Sequence, residues 1–596
     1  MRINVIGFIG MQPLGNPELM ADNASTVATN CLLESTEIVP LRGTTVDTTS
    51  AKVGNLVSAY RMVEGASAAW MAWPFDVDVA KMQFPSVTRY IYTGENEPRI
   101  TTYALAISGG ASDYPHSYRA LGIPAPTTAP TVTPPAGGTP VTRFYGYTYM
   151  SDWGEESALS PITASLIGNP TGTWAITGMN TTPVFSDGRT APIGTCTINL
   201  YRTEGSSGQW MLVNSTPISS SSYDDTVTAA SLPGDTLIST TYEVPPKYLR
   251  GVKLHPSGAL VGFYDNVLCF SEPFQPHAWP TAYQMQAKSK IVAIEIIGTT
   301  VAVLTDSRPQ LCFGQEPGAM QMSDPGEAMP CLSKRSVVSF GDRVGFATDA
   351  GYATISENGV DILTQAIWDY HTWHRMNPAN TFAVYASGRL HLVVHPSSRA
   401  QWYVFSMRSN LLTTSSYLPN ALCTDVTTGN VYFLTGSNIN TWNDGAATFQ
   451  YAEWIGKLFH LPHPINFAAA RIRFDGVLSD ADIAALEAAR AAAIATNAPI
   501  VASGNAKGAY NAKPFNTLRY GASLLQFVPS PATDSVGVVF NIFDDNGLKY
   551  SKTILNEEPF RLPSGFKIRR MRVGTVSQAC VKSIELAESM AGLNVA

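Results

Sequence analysis

Between Gly251 and about Trp442 one short pattern returns five times: a turn glycine followed by a β-rich hairpin. The glycines are Gly258, Gly298, Gly341, Gly388 and Gly429, so successive copies stand 40, 43, 47 and 41 residues apart. Ser257-Gly-Ala-Leu-Val-Gly-Phe-Tyr-Asp-Asn-Val-Leu-Cys-Phe270 is one copy and Phe340-Gly-Asp-Arg-Val-Gly-Phe-Ala-Thr-Asp-Ala-Gly-Tyr352 another. An apolar run such as Ile291 to Ile297 precedes each glycine, which supplies a turn conformation that a Cβ resists. A period in the forties with strand-turn-strand content is the spacing of propeller blades. One twisted sheet of three or four short strands cannot bury both faces alone, and radial stacking on its neighbours does that. The spacing predicts an all-β chain organised as a β-propeller; an open meander or sandwich would use the same strands without closing.

At 596 residues the chain is long enough for several domains and a large core. Charged residues make up only 14%, a mix that suits β-structure with extensive protein contact. A net charge of -7 argues against the broad basic surface of a protein that grips nucleic acid, though not against one that surrounds it. The seven cysteines are scattered with no Cys-x-x-Cys pair, so buried reduced thiols are expected in preference to a zinc or redox site. The opening Met1 to Gly10 is too short and glycine-broken for a secretory signal, and no later run reaches membrane-spanning length. The expectation is a soluble chain made in a reducing cytoplasm, without a membrane segment.

In chain order, residues 1–117 are expected to contribute propeller strands, with a helix-like segment from Pro17 to Leu33, a short strand from Ile38 to Leu41, and a hairpin around Gly94. Residues 118–246 read as an inserted β-sandwich. It is entered through a Pro/Thr-rich connector between Leu121 and Pro140, and its strand text includes Arg143 to Tyr149, Cys196 to Arg202 and Gln209 to Val213. The stretch from Tyr147 to Pro161 looks like a fibronectin type III-like module. Residues 247–450 hold the repeats, and 451–596 a β region that closes the propeller. That last region carries a helical insertion at about 477–513: Ser479 to Asp482 form a capping signature, Ile483, Leu486, Ala489, Ala493 and Ile494 lie on one stripe, and Asn497 with Pro499 ends it. Such a helix either packs on the nearest sheet or protrudes toward a neighbouring subunit.

No phosphate-binding loop, dinucleotide fingerprint, nucleophile elbow or zinc-protease motif occurs. The pairs His391 with His395, His371 with His374, and His460 with His463 are the best metal candidates, but none has an evident third ligand, so ordinary packing or surface histidine is expected. Thr348 to Thr354 carries the Asp-x-Gly core of a sialidase-type box without its flanking serine or threonine and aromatic, and reads more simply as a hairpin turn. Arg569, Arg570 and Arg572 could touch phosphate, but strand geometry splits them between two faces, which favours a solvated or salt-bridged strand. No catalytic, cofactor-binding or metal residue is assigned and no cofactor is expected.

Several phrases in order along the chain carry a family likeness: Met20-Ala-Asp-Asn-Ala-Ser-Thr-Val-Ala-Thr-Asn-Cys31 with Val39-Pro-Leu-Arg42, Tyr92-Thr-Gly94 with Glu97-Pro-Arg99, Leu121-Gly-Ile-Pro-Ala-Pro126, Cys269-Phe-Ser-Glu-Pro-Phe-Gln-Pro-His-Ala-Trp-Pro280, Pro330-Cys-Leu-Ser-Lys-Arg-Ser336 and Phe459-His-Leu-Pro-His-Pro-Ile-Asn-Phe467. On these the sequence resembles the tail nozzle (tail tubular protein B-type) family of short-tailed bacteriophages over most of its length. The alanine-rich helix after Ser479 is not part of that likeness. The resemblance implies a non-enzymatic virion protein of the phage tail, a homo-hexameric ring below the portal and tail adaptor protein. It would extend and gate the DNA ejection channel and receive tail fibres or spikes outside. Phage genomic DNA would pass without sequence-specific binding, and an acidic chain would let it slide. A glycan-binding or glycan-degrading propeller on the same tail and a cytoplasmic propeller scaffold are the competing expectations.

Overall fold

The computed structural model describes residues 1–110, 112–204, 208–325, 328–395, 400–445, 447–475, 480–502, 506–507, 523–524, 537–564 and 567–593. With 43% strand and 9% helix, the chain is all-β. All five repeat glycines have positive φ, between 56° and 97°, and each sits at the turn between the first two strands of a unit. Four strands, where the repeat text alone gave three or four, complete each unit. The second unit is Arg250–Leu254, Leu260–Tyr264, Val267–Phe270 and Gln284–Gln286. The third runs from Ile291 to Ser323, the fourth from Val338 to Ile362 and the fifth from Phe382 to Ser415. The first unit comes from the N-terminal part, a meander of Asp78–Gln83, Thr88–Thr93, Arg99–Thr102 and Arg119–Ala120. In the sixth unit, strands between Ala421 and Thr441 are completed by Thr45–Thr49, paired to Asn438–Thr441 across the length of the chain. A two-stranded hairpin, Ser58–Glu64 with Ser67–Trp73, stands apart from these sheets.

Apolar clusters join the units in order. Met82, Ile91 and Ile100 meet Val252, Leu260 and Trp279 between the first and second units. Phe263 and Phe270 meet Ile294 and Val303 between the second and third, and Ile297 and Leu304 meet Phe346 and Ile355 between the third and fourth. Tyr352 with Trp373 meets Leu392 and Tyr403, and Val393 with Trp402 meets Phe433 and Trp442. The hairpin lies between the sixth and first units: Trp70 packs with Leu434 and Ile439, while Met71 and Trp73 pack with Tyr90 and Tyr92. Each large apolar side chain buried in these seams is worth about 1.5–3 kcal/mol, so the sheets stabilise one another more than any could stand alone.

The inserted sandwich has two three-stranded sheets, Thr131–Thr133 with Trp174–Thr177 and Tyr223–Asp225, and Tyr145–Ser151 with Cys196–Arg202 and Met211–Leu212. They share a core that includes Tyr145, Tyr147, Trp174, Ile176, Ile198 and Leu200. The Pro/Thr-rich stretch is therefore not only a connector, because Thr131–Thr133 is a strand of the sandwich. It lies at the sheet edge, where proline neighbours cost no ladder hydrogen bonds.

The neck of the sandwich is tight. Arg189 donates to the carbonyls of Leu121, at 3.5 Å, and Pro245, tying the incoming and outgoing chains together. Gly122 has φ +90°, and a Cβ there would sit 2.7 Å from the Pro245 ring. Gly122→Ala is expected to lose more than about 1 kcal/mol and to loosen the neck, read as faster proteolytic cleavage beside Leu121.

Two corrections concern the termini. Pro17 to Leu33 is not helical: Ser25–Thr29 and Cys31–Leu32 are strands, because β-branched Thr26, Val27 and Thr29 fit a pleated surface and Ala452–Gly456 offers them a partner. The 23-residue helix Asp480–Ala502 continues past Asn497 and Pro499 rather than ending there. Its N-terminal signal at Ser479 lies outside the described residues, as do the side chains of Ile483 and Leu486. Of the other stripe positions Ala493 is buried, while Ala489 and Ile494 are exposed.

The first strand, Arg2–Ile6, pairs with one of the last, Val581–Ala587. Their sheet shares a core including Val5, Phe8, Trp454, Ile472, Phe540 and Ile584 with a second sheet built from Ser25–Thr29, Ala452–Gly456, Val538–Asp544 and Ile568–Ser577. Thr29 bridges to Thr414, attaching this C-terminal lobe to the fifth unit. Among the described residues no helix is long and apolar enough to cross a membrane.

Candidate functional site

The short segment Cys331 to Ser336 connects units that are distant in sequence. A 3-10 turn at Lys334–Ser336 exposes two consecutive cations to opposite neighbours. The ammonium of Lys334 pairs with Asp78, which opens the first strand of the first unit, and, at 2.9 Å, with Asp76 just before it. Burial works to lower its pKa, but the two carboxylates outweigh that and hold it above the ordinary lysine range. Arg335 turns the other way. It donates to the carbonyls of Val57 and Asn420, each at 3.3 Å, and lies 4.7 Å from the Phe382 ring. The turn is held by Ser333, whose hydroxyl donates to Thr381 O at 2.6 Å, and by Tyr352, whose hydroxyl donates to Ser336 O at 2.8 Å. Lys334 and Arg335 thus link the first, fifth and sixth units and the hairpin from one point. Arg335→Ala is expected to cost roughly 2–3 kcal/mol, from two charge-assisted hydrogen bonds and a cation-π contact, measured as a lower urea midpoint.

Beside this segment lies a cavity of about 730 Å³. Its wall is built where the chain enters the first strands of successive units, at Asp76, Arg250 and Ile291, and at the Tyr264–Asp265 turn of the second unit. That turn is fixed from both sides of the junction with the third unit, since Ile291 N donates to Asp265 O at 2.8 Å and Ala287 N to Asn266 O at 2.7 Å. Phe75, Tyr248 and Lys290 complete the polar and aromatic lining. A smaller cavity of about 350 Å³ lies on the Arg335 side, against Phe382 and His395.

The histidine pairs do not become metal centres. His391 is buried between Trp402 and Trp442, 5.8 and 4.6 Å away, and burial, reinforced by Arg389, pushes its pKa down to about 3. His395 instead lies 5.4 Å from Phe382. His371 and His374 share a short exposed helix, and His374 stacks on Tyr370. His460 and His463 are exposed, with His460 near Glu18. Glu37, Asp475 and Cys580 do converge. Yet Lys582 takes the Asp475 carboxylate at 2.5 Å, and the thiol donates to Glu37 at 3.2 Å, its pKa pushed up to about 12 by burial first and Glu37 second. A protonated thiol and a paired carboxylate make a poor ligand set. All seven cysteines are free.

Thr348 closes the Asp-x-Gly stretch as a hairpin turn, its hydroxyl donating to Gly351 O at 2.8 Å. Arg570 is ion-paired to Glu18 and Asp545, at 2.6 and 3.2 Å. Lys334 and Arg335 entered the sequence reading only within a longer phrase, and the one local signal was two adjacent cations between β segments.

No family model matches the chain, and no curated protein does. Among solved structures, an extracellular domain described as part of a hybrid two-component system of B. thetaiotaomicron is similar at 11% identity and a TM-score of 0.23, covering 54% of this chain. The chain spans only 40% of that protein. A one-component-system domain from the same organism gives 9% identity and a TM-score of 0.21, over 92% of this chain and 87% of the other. Likeness that loose transfers neither fold detail nor activity.

Proposed function

We propose that the chain is the structural subunit of a phage tail nozzle, non-enzymatic and assembled as a homo-hexameric ring. It would extend and gate the DNA ejection channel below the tail adaptor and offer its outer face to fibres or spikes. The observation that carries the reading is where the family-like phrases fall: they form joints. Glu97 accepts from Ala191 N at 3.1 Å where the first unit meets the sandwich. Leu121 and Pro245 form its neck, Trp279 lies in the seam between the first two units, and Lys334 with Arg335 ties units across the middle. Residues that hold large bodies in register are what a passive conduit needs. The order of apolar seams fits a β-propeller of six four-stranded blades with the hairpin as a shortened seventh. The sandwich, read as fibronectin type III-like, and the C-terminal lobe then project as arms for head-to-tail contacts in a closed ring.

The test is the mass of the purified chain by light scattering with negative-stain microscopy, alone and with the adaptor ring. Six-fold rings, or monomers that become rings on the adaptor, are the expected result. A monomer that ignores the adaptor overturns the reading.

A further inference from the structure

The lining of the larger cavity contains charges that the fold does not use. Lys334 and Asp76 are spent on each other. The side chains of Arg250, Lys290 and Asp265 have no partner among the described residues, although all three line one cavity. Counting all its charged walls, three cations face two carboxylates on a chain whose net charge is -7. Two rings at the same cavity are left in water: Tyr248 is 68% exposed and Phe75 38%. Aromatic faces kept wet beside unpaired cations and a free carboxylate are features that packing alone does not favour.

We infer that this cavity is a binding site for a short acidic saccharide, one bearing carboxylates on its sugar rings. Arg250 and Lys290 take the carboxylate, Arg250 in the two-pronged geometry of a guanidinium. Asp265 accepts from ring hydroxyls, and Tyr248 and Phe75 cover the apolar ring faces. The volume suits a few sugar units and lies in the ordinary range for small-ligand sites, about 300–1,000 Å³. A DNA duplex is far too wide to enter. The wall is preformed, because backbone hydrogen bonds from Ala287 and Ile291 fix the Asp265 turn and the Lys334 pair fixes Asp76. This site goes beyond the nozzle reading and does not depend on it.

The full chain is titrated calorimetrically with trigalacturonate, 3′-sialyllactose, neutral maltotriose and a short oligothymidylate. At least one acidic saccharide is expected to bind about tenfold or more tightly than maltotriose, and the Arg250→Ala, Lys290→Ala double variant to lose about tenfold or more, equivalent to roughly 1.4 kcal/mol. Tyr248→Ala is expected to weaken binding without changing the preference for acid. The side chains of Arg250 and Lys290 have no hydrogen bond or ion pair among the described residues, and Tyr248 has a Lys247 cation-π contact at 5.9 Å, so the double variant's thermal midpoint should match the parent and separate loss of binding from loss of structure. Absence of binding to both acidic saccharides, undiminished binding by the double variant, or tighter binding of the oligothymidylate overturns the assignment.

Discussion

Asp225→Ala is expected to destabilise the inserted sandwich by roughly 3–5 kcal/mol, the largest single loss among the ion pairs, because it strands two buried arginines. Arg143, Arg202 and Asp225 are each fully buried. Asp225 accepts from Arg202 at 2.5 Å and from the Tyr145 hydroxyl at 2.8 Å, and stands 3.8 Å from Arg143. Glu204 stands 3.0 and 2.6 Å from the two guanidiniums, while the Nε atoms of both arginines are buried without a hydrogen-bond partner among the described residues. Removing Asp225 leaves one partly buried carboxylate, Glu204, to balance two desolvated cations. Urea denaturation followed by amide exchange in Tyr145–Ser151 and Cys196–Arg202 measures the loss. Asp225→Asn, which keeps an acceptor for Tyr145, should fall between Asp225→Ala and the parent. A loss under about 1 kcal/mol for Asp225→Ala would mean that the arginines find water, and that the cluster does not hold the two sheets together.

The contrast between this cluster and the repeat units shows what could be read from sequence. Gly258 and its four counterparts were legible because a turn is a local event: one residue must adopt positive φ, and glycine does so without strain. The long strands Tyr145–Ser151 and Cys196–Arg202 were legible for the same kind of reason, since each carries a run of strand-forming residues within itself, although Tyr145–Ser151 is buried on both faces rather than one. The pairing of Thr45–Thr49 with Asn438–Thr441 was not, because nothing in either segment names the other. The helix read at Pro17 to Leu33 failed at the same point. Its alanines favour a helix and its threonines and valine a strand, and a partner strand more than four hundred residues away decided the matter. At the C-terminal helix, a proline close to the end disturbs only the last turns, so Pro499 was a weaker stop than it looked. The candidate site was least legible. Arg250, Lys290 and Asp265 are unremarkable in sequence, and only the meeting of units gives them a common cavity.

Acidification provides the second large effect, and its sign follows from two buried imidazoles. Burial pushes His391 down to about 3 and His277 down to about 4, with Arg389 and Arg89 respectively as the lesser causes. Both are therefore neutral in the folded chain at pH 5, whereas in the unfolded chain a histidine titrates near the ordinary value of about 6.5. The unfolded state then binds more protons between about pH 6.5 and each group's folded value. Stability is fully present above that value and is lost as pH falls, down to about pH 4 for His277 and pH 3 for His391. At pH 5 each imidazole accounts for roughly 2 kcal/mol of loss relative to pH 7.5. Glu155, raised by its own burial, works in the opposite direction and pairs with the same Arg89 that lowers His277, so His391 gives the cleaner measurement. His391→Phe keeps a ring between Trp402 and Trp442 and should remove about 2 kcal/mol of the parent's stability difference between pH 7.5 and pH 5, read from urea midpoints at the two values. The same variant at pH 7.5 should differ little from the parent. An unchanged pH dependence would place the proton of His391 in solvent contact and contradict a sealed seam between the fifth and sixth units.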